Sequence, residues 1–509
     1  MVGVVVAVGA AFAGGIAQAQ GVVVCEEPQA AQVGAQVLEE GGNAVDAAVA
    51  TAFALAVTHP AAGNIGGGGF LLMRGAGGGE EAFVDFRETA PTAARPETYA
   101  DRALLPSRER KGFVWAGVPG SVAGLALAHE RWGSLPWQRL VRPAERLARR
   151  GFPLSSVQAR SLNAMSTRWA NSAARQQFRP PTGGSWLAGQ RLVQADLART
   201  LEQVGRRGAD GFYRGGVARR LAAGMAAGGG RVTEDDLAGY RAVALEPFRF
   251  AFRGRTVLSA PLPSSGGATM AIALALMERW GACEEGSLDD LATVHAWVEA
   301  LRRAYRERAA TMGDPDHMAP DFRPLDPARL DALAATFDPD RATTSLTLAG
   351  GIAIAAEGDH TTHLSVIDAA GNAVSLTTTI EQSYGSRAVA PGLGFLLNNE
   401  MGDFNLRPGW TDAEGRIGTD PNLIAPGKRM LSSMTPTIVL AADGGVELIL
   451  GSPGGRTIIS TVAQILIDTL AYQSDPADAM ARGRLYHLWL PDQVRMEEGR
   501  WPEAVVDGL

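Results

Sequence analysis

Two adjacent hydroxyls, Thr361 and Thr362, stand where a polar Glu357-Gly358-Asp359-His360 stretch gives way to alternating residues. A threonine hydroxyl is a weak nucleophile unless a base lies beside it. A cut before the residue would supply one, because the freed α-amine has a reference pKa of about 7.7 to 8.0. Composition and spacing by themselves favour the plainer reading, a pair of β-forming threonines. Other nucleophiles have less support. No Gly-x-Ser-x-Gly elbow surrounds the plausible serines. Cys25 adjoins Glu26-Glu27, whose charges disfavour a thiolate, and the only other cysteine, Cys283, is too remote in sequence for a paired metal motif. His360 and His363 have no HExxH pattern or Cys/His set around them.

The elements that must position these groups follow from periodicity. Thr361 to Asp368 and Ala373 to Ile380 alternate with period two around Gly371-Asn372, which predicts a β-hairpin. Further strands are expected at Gly69 to Met73, Ala82 to Phe86, Gly394 to Leu397, Thr437 to Ala441 and Val446 to Leu450. Helical spacing marks Pro28 to Leu38, Ala44 to Thr58 and Thr457 to Leu470, and most of 98–345 reads as helical. Within that stretch the arginine-rich face of Leu291 to Met312 is expected to be solvated. Helices, then strands, then helices predict an α+β architecture of stacked layers and argue against a doubly wound parallel sheet.

Length and composition bound the rest. The 509 residues suggest about three domain-sized units or fewer, larger ones sharing a core. Hydrophobic residues at 46%, charged residues at 20% and a formal charge of -7 describe a globular chain without the cationic excess that nucleic acid requires. Lysine occurs only at Lys111 and Lys428, so anion recognition falls to arginine. The 62 glycines are clustered, as at Gly66-Gly67-Gly68-Gly69 and Gly454-Gly455, which indicates tight turns and close backbone approaches rather than a collagen period. The run Val2 to Ile16 followed by Ala17-Gln18-Ala19 has the form of an export signal covering 1–19, although no Lys or Arg precedes it. A misplaced start codon or a plain buried strand are the other readings, and the run is too short for a spanning helix.

Several motifs, in order along nearly the whole chain, resemble the γ-glutamyltransferase family of N-terminal nucleophile hydrolases. They include Gly41-Gly42-Asn43-Ala44-Val45-Asp46, Asp85-Phe86-Arg87-Glu88-Thr89-Ala90-Pro91, Gly117-Val118-Pro119-Gly120-Ser121 and Pro261-Leu262-Pro263-Ser264-Ser265-Gly266-Gly267. The second half adds Thr361-Thr362-His363, Asn398-Asn399-Glu400-Met401-Gly402-Asp403, Pro426-Gly427-Lys428-Arg429-Met430-Leu431-Ser432-Ser433 and Gly451-Ser452-Pro453-Gly454-Gly455. The resemblance implies a four-layer αββα sandwich without a cofactor or metal. It also implies self-cleavage between His360 and Thr361 into a large subunit, 20–360, and a small one, 361–509, which stay together as a heterodimer.

By the same resemblance Thr361 is nucleophile and base, Thr379 supports it, and the Gly454 and Gly455 amides form an oxyanion hole. Arg87, Ser432 and Ser433 would hold the α-carboxylate of a γ-glutamyl substrate such as glutathione. Glu381, Glu400 and Asp403 would hold its α-ammonium, and water or an amino-acid or peptide amine would accept the acyl group. The signal-like run at the start of the sequence, not the resemblance, predicts a periplasmic or secreted protein, with a cytoplasmic location as the alternative.

Three departures qualify the resemblance. Glu381 stands where better-known transpeptidases carry asparagine, which makes the ammonium pocket unusually acidic and keeps related acylases of other amides in view. The loop Trp410 to Leu423, expected as a lid, matches the family poorly. The sequence ends at Leu509, which predicts missing final strands, an unpaired sheet edge and, in the extreme, an unprocessed binding protein.

Overall fold

The computed structural model describes residues 4–7, 21–106, 109–284, 286–318, 322–348, 361–413 and 415–509. Two antiparallel sheets lie between helices. The strands, in chain order, are β1 (Val4–Ala7), β2 (Gly21–Cys25), β3 (Gly68–Arg74), β4 (Glu81–Asp85), β5 (Val243–Leu245), β6 (Phe248–Phe252), β7 (Arg255–Ser259), β8 (Thr361–Asp368), β9 (Ala373–Thr379), β10 (Thr437–Leu440) and β11 (Val446–Gly451). The six-stranded sheet runs β2-β8-β9-β3-β4-β5 and the five-stranded one β1-β11-β10-β7-β6. The helices Pro28–Glu39 and Ala44–Thr58 cover the first sheet, and Gly266–Arg279, Leu291–Thr311 and Thr457–Leu466 cover the second. The architecture is therefore the expected α+β sandwich.

Local chemistry accounts for the elements around the site. Asn43 caps Ala44–Thr58 through a reciprocal box with Asp46, and the whole helix is buried, so its alanines permit close packing. The β8–β9 hairpin forms in the register that places Thr361 opposite Thr379 and His363 opposite Thr377. Strand alternation sends Leu364 and Val366 into the helix-covered core. It sends His363 toward the other sheet, where a Cβ on Gly451 would lie 2.1 Å from the imidazole.

Three expectations change. Gly394 to Leu397 forms only an isolated bridge between Val389 and Leu396, not a strand. The hairpin β6–β7, with Phe248 opposite Ser259, was not expected within a region read as helical. The helix Leu291–Thr311 buries Glu299, Arg302, Arg303, Glu307 and Arg308, so its arginine-rich face is an internal ion-pair network and not a solvated surface. At the amino end, Val4–Ala7 pairs with β11, while residues 8–20, with the expected signal cleavage, lie outside the described residues. Of the two halves expected to meet the cut, His360 also lies outside them. No described helix is long and apolar enough to cross a membrane.

Candidate active site

Thr361 opens β8 and is 7% exposed, at the wall of a cavity of about 310 Å³. Thr379, its partner across the hairpin, lines the same cavity, and its Oγ1 accepts a hydrogen bond from the Glu381 amide at 2.9 Å. Alternation turns Thr362 away, so of the two adjacent hydroxyls only Thr361 reaches the cavity. The glycine run at the start of β3 lets this sheet close up. A Cβ on Gly67 would meet the Thr379 carbonyl oxygen at 2.2 Å, and Asn64 bridges the two by accepting from the Gly67 amide and donating to that carbonyl.

Arg87 follows β4 and is 1% exposed. Its guanidinium meets Glu400 at 2.6 Å, Asp403 by a short contact, and Glu88 at 3.5 Å. Remote motifs fix it there. The Arg87 amide donates to Asp85 at 2.8 Å, the Tyr240 hydroxyl donates to its carbonyl at 2.8 Å, and its Nε donates to the Met430 carbonyl at 3.3 Å. Asn398 binds the Gly66 and Gly117 backbones together, which joins three motifs far apart in sequence.

One cation thus faces three buried carboxyls. Burial opposes the Arg87 charge, but Glu400, Asp403 and Glu88 outweigh it and keep the guanidinium protonated. Burial pushes the Glu88 carboxyl up to about 8, against the pull of Arg87. Glu400 and Asp403 are raised by burial as well, Asp403 further by its neighbour Glu400, while Arg87 opposes the shift in both. Burial therefore favours a proton held within this carboxyl cluster near neutrality.

Ser432 and Ser433 line the cavity opposite. The loop Pro261 to Gly267 holds them, because the Ser265 amide and hydroxyl both donate to the Ser432 carbonyl, at 2.9 and 2.6 Å. Gly454 and Gly455 have φ of 128° and 57°, in the left-handed range, and their carbonyls begin the helix Thr457–Leu466. Successive amides at a helix start form a partly positive concavity suited to an oxyanion.

The model of the family described as gamma-glutamyltranspeptidase matches residues 30–509. The chain belongs to the gamma-glutamyltranspeptidase family. It is 39% identical over 490 residues to the glutathione hydrolase proenzyme of Escherichia coli, covering 96% of this chain and 84% of that protein. It is 41% identical over 476 residues to the glutathione hydrolase proenzyme of Pseudomonas aeruginosa, covering 92% and 83%. Among solved structures, a cephalosporin acylase from Bacillus halodurans superposes with a TM-score of 0.81 at 25% identity, covering 98% of this chain and 91% of that one. The gamma-glutamyltranspeptidase family and these relatives make the chain an enzyme of the N-terminal nucleophile hydrolase class.

The cavity brings together Thr361, Thr379, Glu381, Arg87, Asp403, Ser432, Ser433 and Gly455. Glu400 lies behind Arg87, fully buried, and Gly454 precedes the wall residue Gly455 without itself lining the cavity. None of the described residues of the Trp410 to Leu423 loop lines this wall; Trp410, Arg416, Ile417 and Asn422 bound a neighbouring cavity instead. Sequence reasoning missed Arg308, whose Nη2 donates to the Ser433 hydroxyl at 3.0 Å, Arg110, which donates to the Gly402 carbonyl at 2.8 Å, and Arg456, which lines the cavity beside Gly455. The scarcity of lysine was the available signal, since it left buried anion contacts to arginine.

Proposed function

We propose that the chain is a self-processed γ-glutamyl amidohydrolase and transferase. The observation that carries this reading is the cavity in which a threonine at the head of a strand faces two buried arginines, Arg87 and Arg456, two serines and two carboxylates. A γ-glutamyl group is zwitterionic at its α-carbon, and such a set complements both charges. Cleavage before Thr361 would leave 20–360 and 361–509 as two subunits of one heterodimer.

In this reading the Thr361 hydroxyl attacks the γ-amide carbonyl and passes its proton to the threonine's own α-amine, with Thr379 steadying the group. The oxyanion forms against the Gly454 and Gly455 amides, where one donor contributes about 2.7 to 4 kcal/mol. Collapse breaks the C–N bond, the amine leaves with the proton, and a γ-glutamyl ester remains on Thr361. Water then releases glutamate, or an acceptor amine takes the acyl group. Arg87, Ser432 and Ser433 hold the α-carboxylate; Asp403 and Glu381 hold the α-ammonium, with Glu400 setting Arg87 from behind.

Amino-terminal sequencing of the smaller band tests the site: a Thr-Thr-His-Leu start supports it, and Thr361→Ala should abolish both cleavage and turnover. Persistent cleavage in that variant would show that another residue is the nucleophile. A second reading, an acylase for another amide, rests on Glu381 and on the likeness to the cephalosporin acylase. Turnover of glutaryl amides but not of γ-glutamyl-p-nitroanilide would select it. We also infer export to the periplasm or medium from the apolar run before residue 20; recovery of all activity in the cytosolic fraction would refute that.

A further inference from the structure

A separate, open cavity of about 850 Å³ shares no described residue with the nucleophile cavity and is lined by Leu105, Glu109, Lys111, Arg168 and Arg387. Three cations face one carboxylate there. Backbone pairing brings them together from three parts of the chain. The Ala170 amide donates to the Arg387 carbonyl at 2.9 Å and the Gly112 amide donates to the Ser386 carbonyl at 2.7 Å. The residues beside the two arginines anchor the arrangement. Trp169 and Tyr384 are buried, with Trp169 stacked on Phe178 at 4.7 Å and edge-on to Tyr384 at 5.3 Å between ring centroids. Tyr384, Gly385 and Arg387 have φ of 63°, 52° and 58°, so the turn that presents Arg387 lies in the left-handed region. Packing thus fixes two guanidinium-bearing segments against each other, although their charges repel.

Among the described residues no ion pair joins Lys111, Arg168 or Arg387 to a carboxylate, and the Arg387 Nε is buried without a hydrogen-bond partner. Burial, and after it the charge of Arg168, works against the protonated Arg387 guanidinium. An anion between the two arginines would turn that repulsion into attraction. We propose that this cavity is a binding site for a phosphoryl group, gripped by Arg387 and Arg168 with Lys111 as the third cation. Guanidinium forks offer paired N–H donors to neighbouring phosphoryl oxygens, and lysine adds a point charge. With Glu109 ionised, three positive charges and one negative leave a balance of two, which a phosphoryl dianion matches. Leu105, the one apolar lining residue, is 37% exposed and offers a surface to the organic part of a phosphate ester. The site stands whether or not Thr361 is the nucleophile.

Isothermal titration calorimetry of the full protein at constant ionic strength, with orthophosphate and with phenyl phosphate, tests the site. One equivalent should bind with a Kd below about 1 mM. Tighter binding of phenyl phosphate identifies an ester as the ligand and equal binding identifies free phosphate; either supports the site. R387Q and R168Q should each weaken binding by about tenfold, which is what one charge-assisted contact provides. E109Q should tighten it, and because that variant removes no cation it keeps the test decisive if an arginine variant folds poorly. In phosphate-free buffer R387Q should unfold no earlier than the parent, since it relieves a like-charge contact; a purely structural arginine would lower the midpoint. Absence of saturable binding overturns the proposal. So does binding that all three substitutions leave unmoved, which would place the anion elsewhere on the protein.

Discussion

Arg87 has more acidic partners than it can neutralise, and this has a pH signature. Glu400 and Asp403 are both held above the ordinary carboxyl range by burial. On the proposed reading a donor's α-ammonium beside Asp403 favours the ionised form of that carboxyl, so donor binding should release a proton and KM for γ-glutamyl-p-nitroanilide should fall between pH 6 and 8. A KM that rises over that interval would contradict the cluster's role. Glu88 works in the other direction on stability. Its carboxyl, raised to about 8 in the fold, favours the folded state fully below its unfolded value near 4.5, and that contribution is lost as pH climbs toward 8. Urea unfolding should show lower stability at pH 8 than at pH 5.5, and Glu88→Gln should flatten the difference. Glu381 adds a third feature at this scale, a non-glycine residue at φ 70° and 5% exposure. Asparagine adopts this conformation more readily, so Glu381→Asn should stabilise the protein by about 1 kcal/mol, read from the same urea curves.

Elements differ in how openly the chain announces them. The β8–β9 hairpin was legible because alternation and a Gly-Asn turn act locally, and the Ala44–Thr58 helix because its cap and small residues do. The Leu291–Thr311 helix was misread since a charged face looks the same in sequence whether water or other chains of atoms satisfy it. Its partners come from afar: Glu299 accepts from the Thr343 amide at 3.0 Å and meets Arg303 at 2.5 Å. Burial alone would raise the Glu299 carboxyl, but those contacts outweigh it and hold it below its ordinary value. Phe248, Phe250 and Phe252 did alternate, and the hairpin β6–β7 was missed only because helices dominate its surroundings. The motifs identified most of the cavity wall, but not Arg456, which lines it beside Gly455, nor Arg308, which reaches Ser433 from the helix Leu291–Thr311. The glycine run on β3 gives a prediction at this scale. Gly67→Ala puts a methyl group against the Thr379 carbonyl oxygen, backbone on backbone, and should cost about 1 to 3 kcal/mol and displace Thr379 enough to lower kcat. Unchanged kcat with unchanged stability would mean the sheet can yield there.

At the scale of the molecule, both sheets are woven from residues on either side of Thr361. β8 and β9 lie between β2 and β3 in one sheet, and β10 pairs with β7 in the other. Ion pairs join the same two portions, Arg302 to Asp492 and Arg87 to Asp403. A chain folded whole and then cut before Thr361 keeps every one of these pairings. The proposed cut would also change the molecularity of refolding: what had been one chain finding its own strands would become two chains that must first collide. The unfolding midpoint of the mature enzyme should therefore rise with protein concentration, as mass action requires, whereas that of uncut Thr361→Ala should not. On the proposed reading, separately produced 20–360 and 361–509 should regain activity on mixing only slowly and in proportion to concentration.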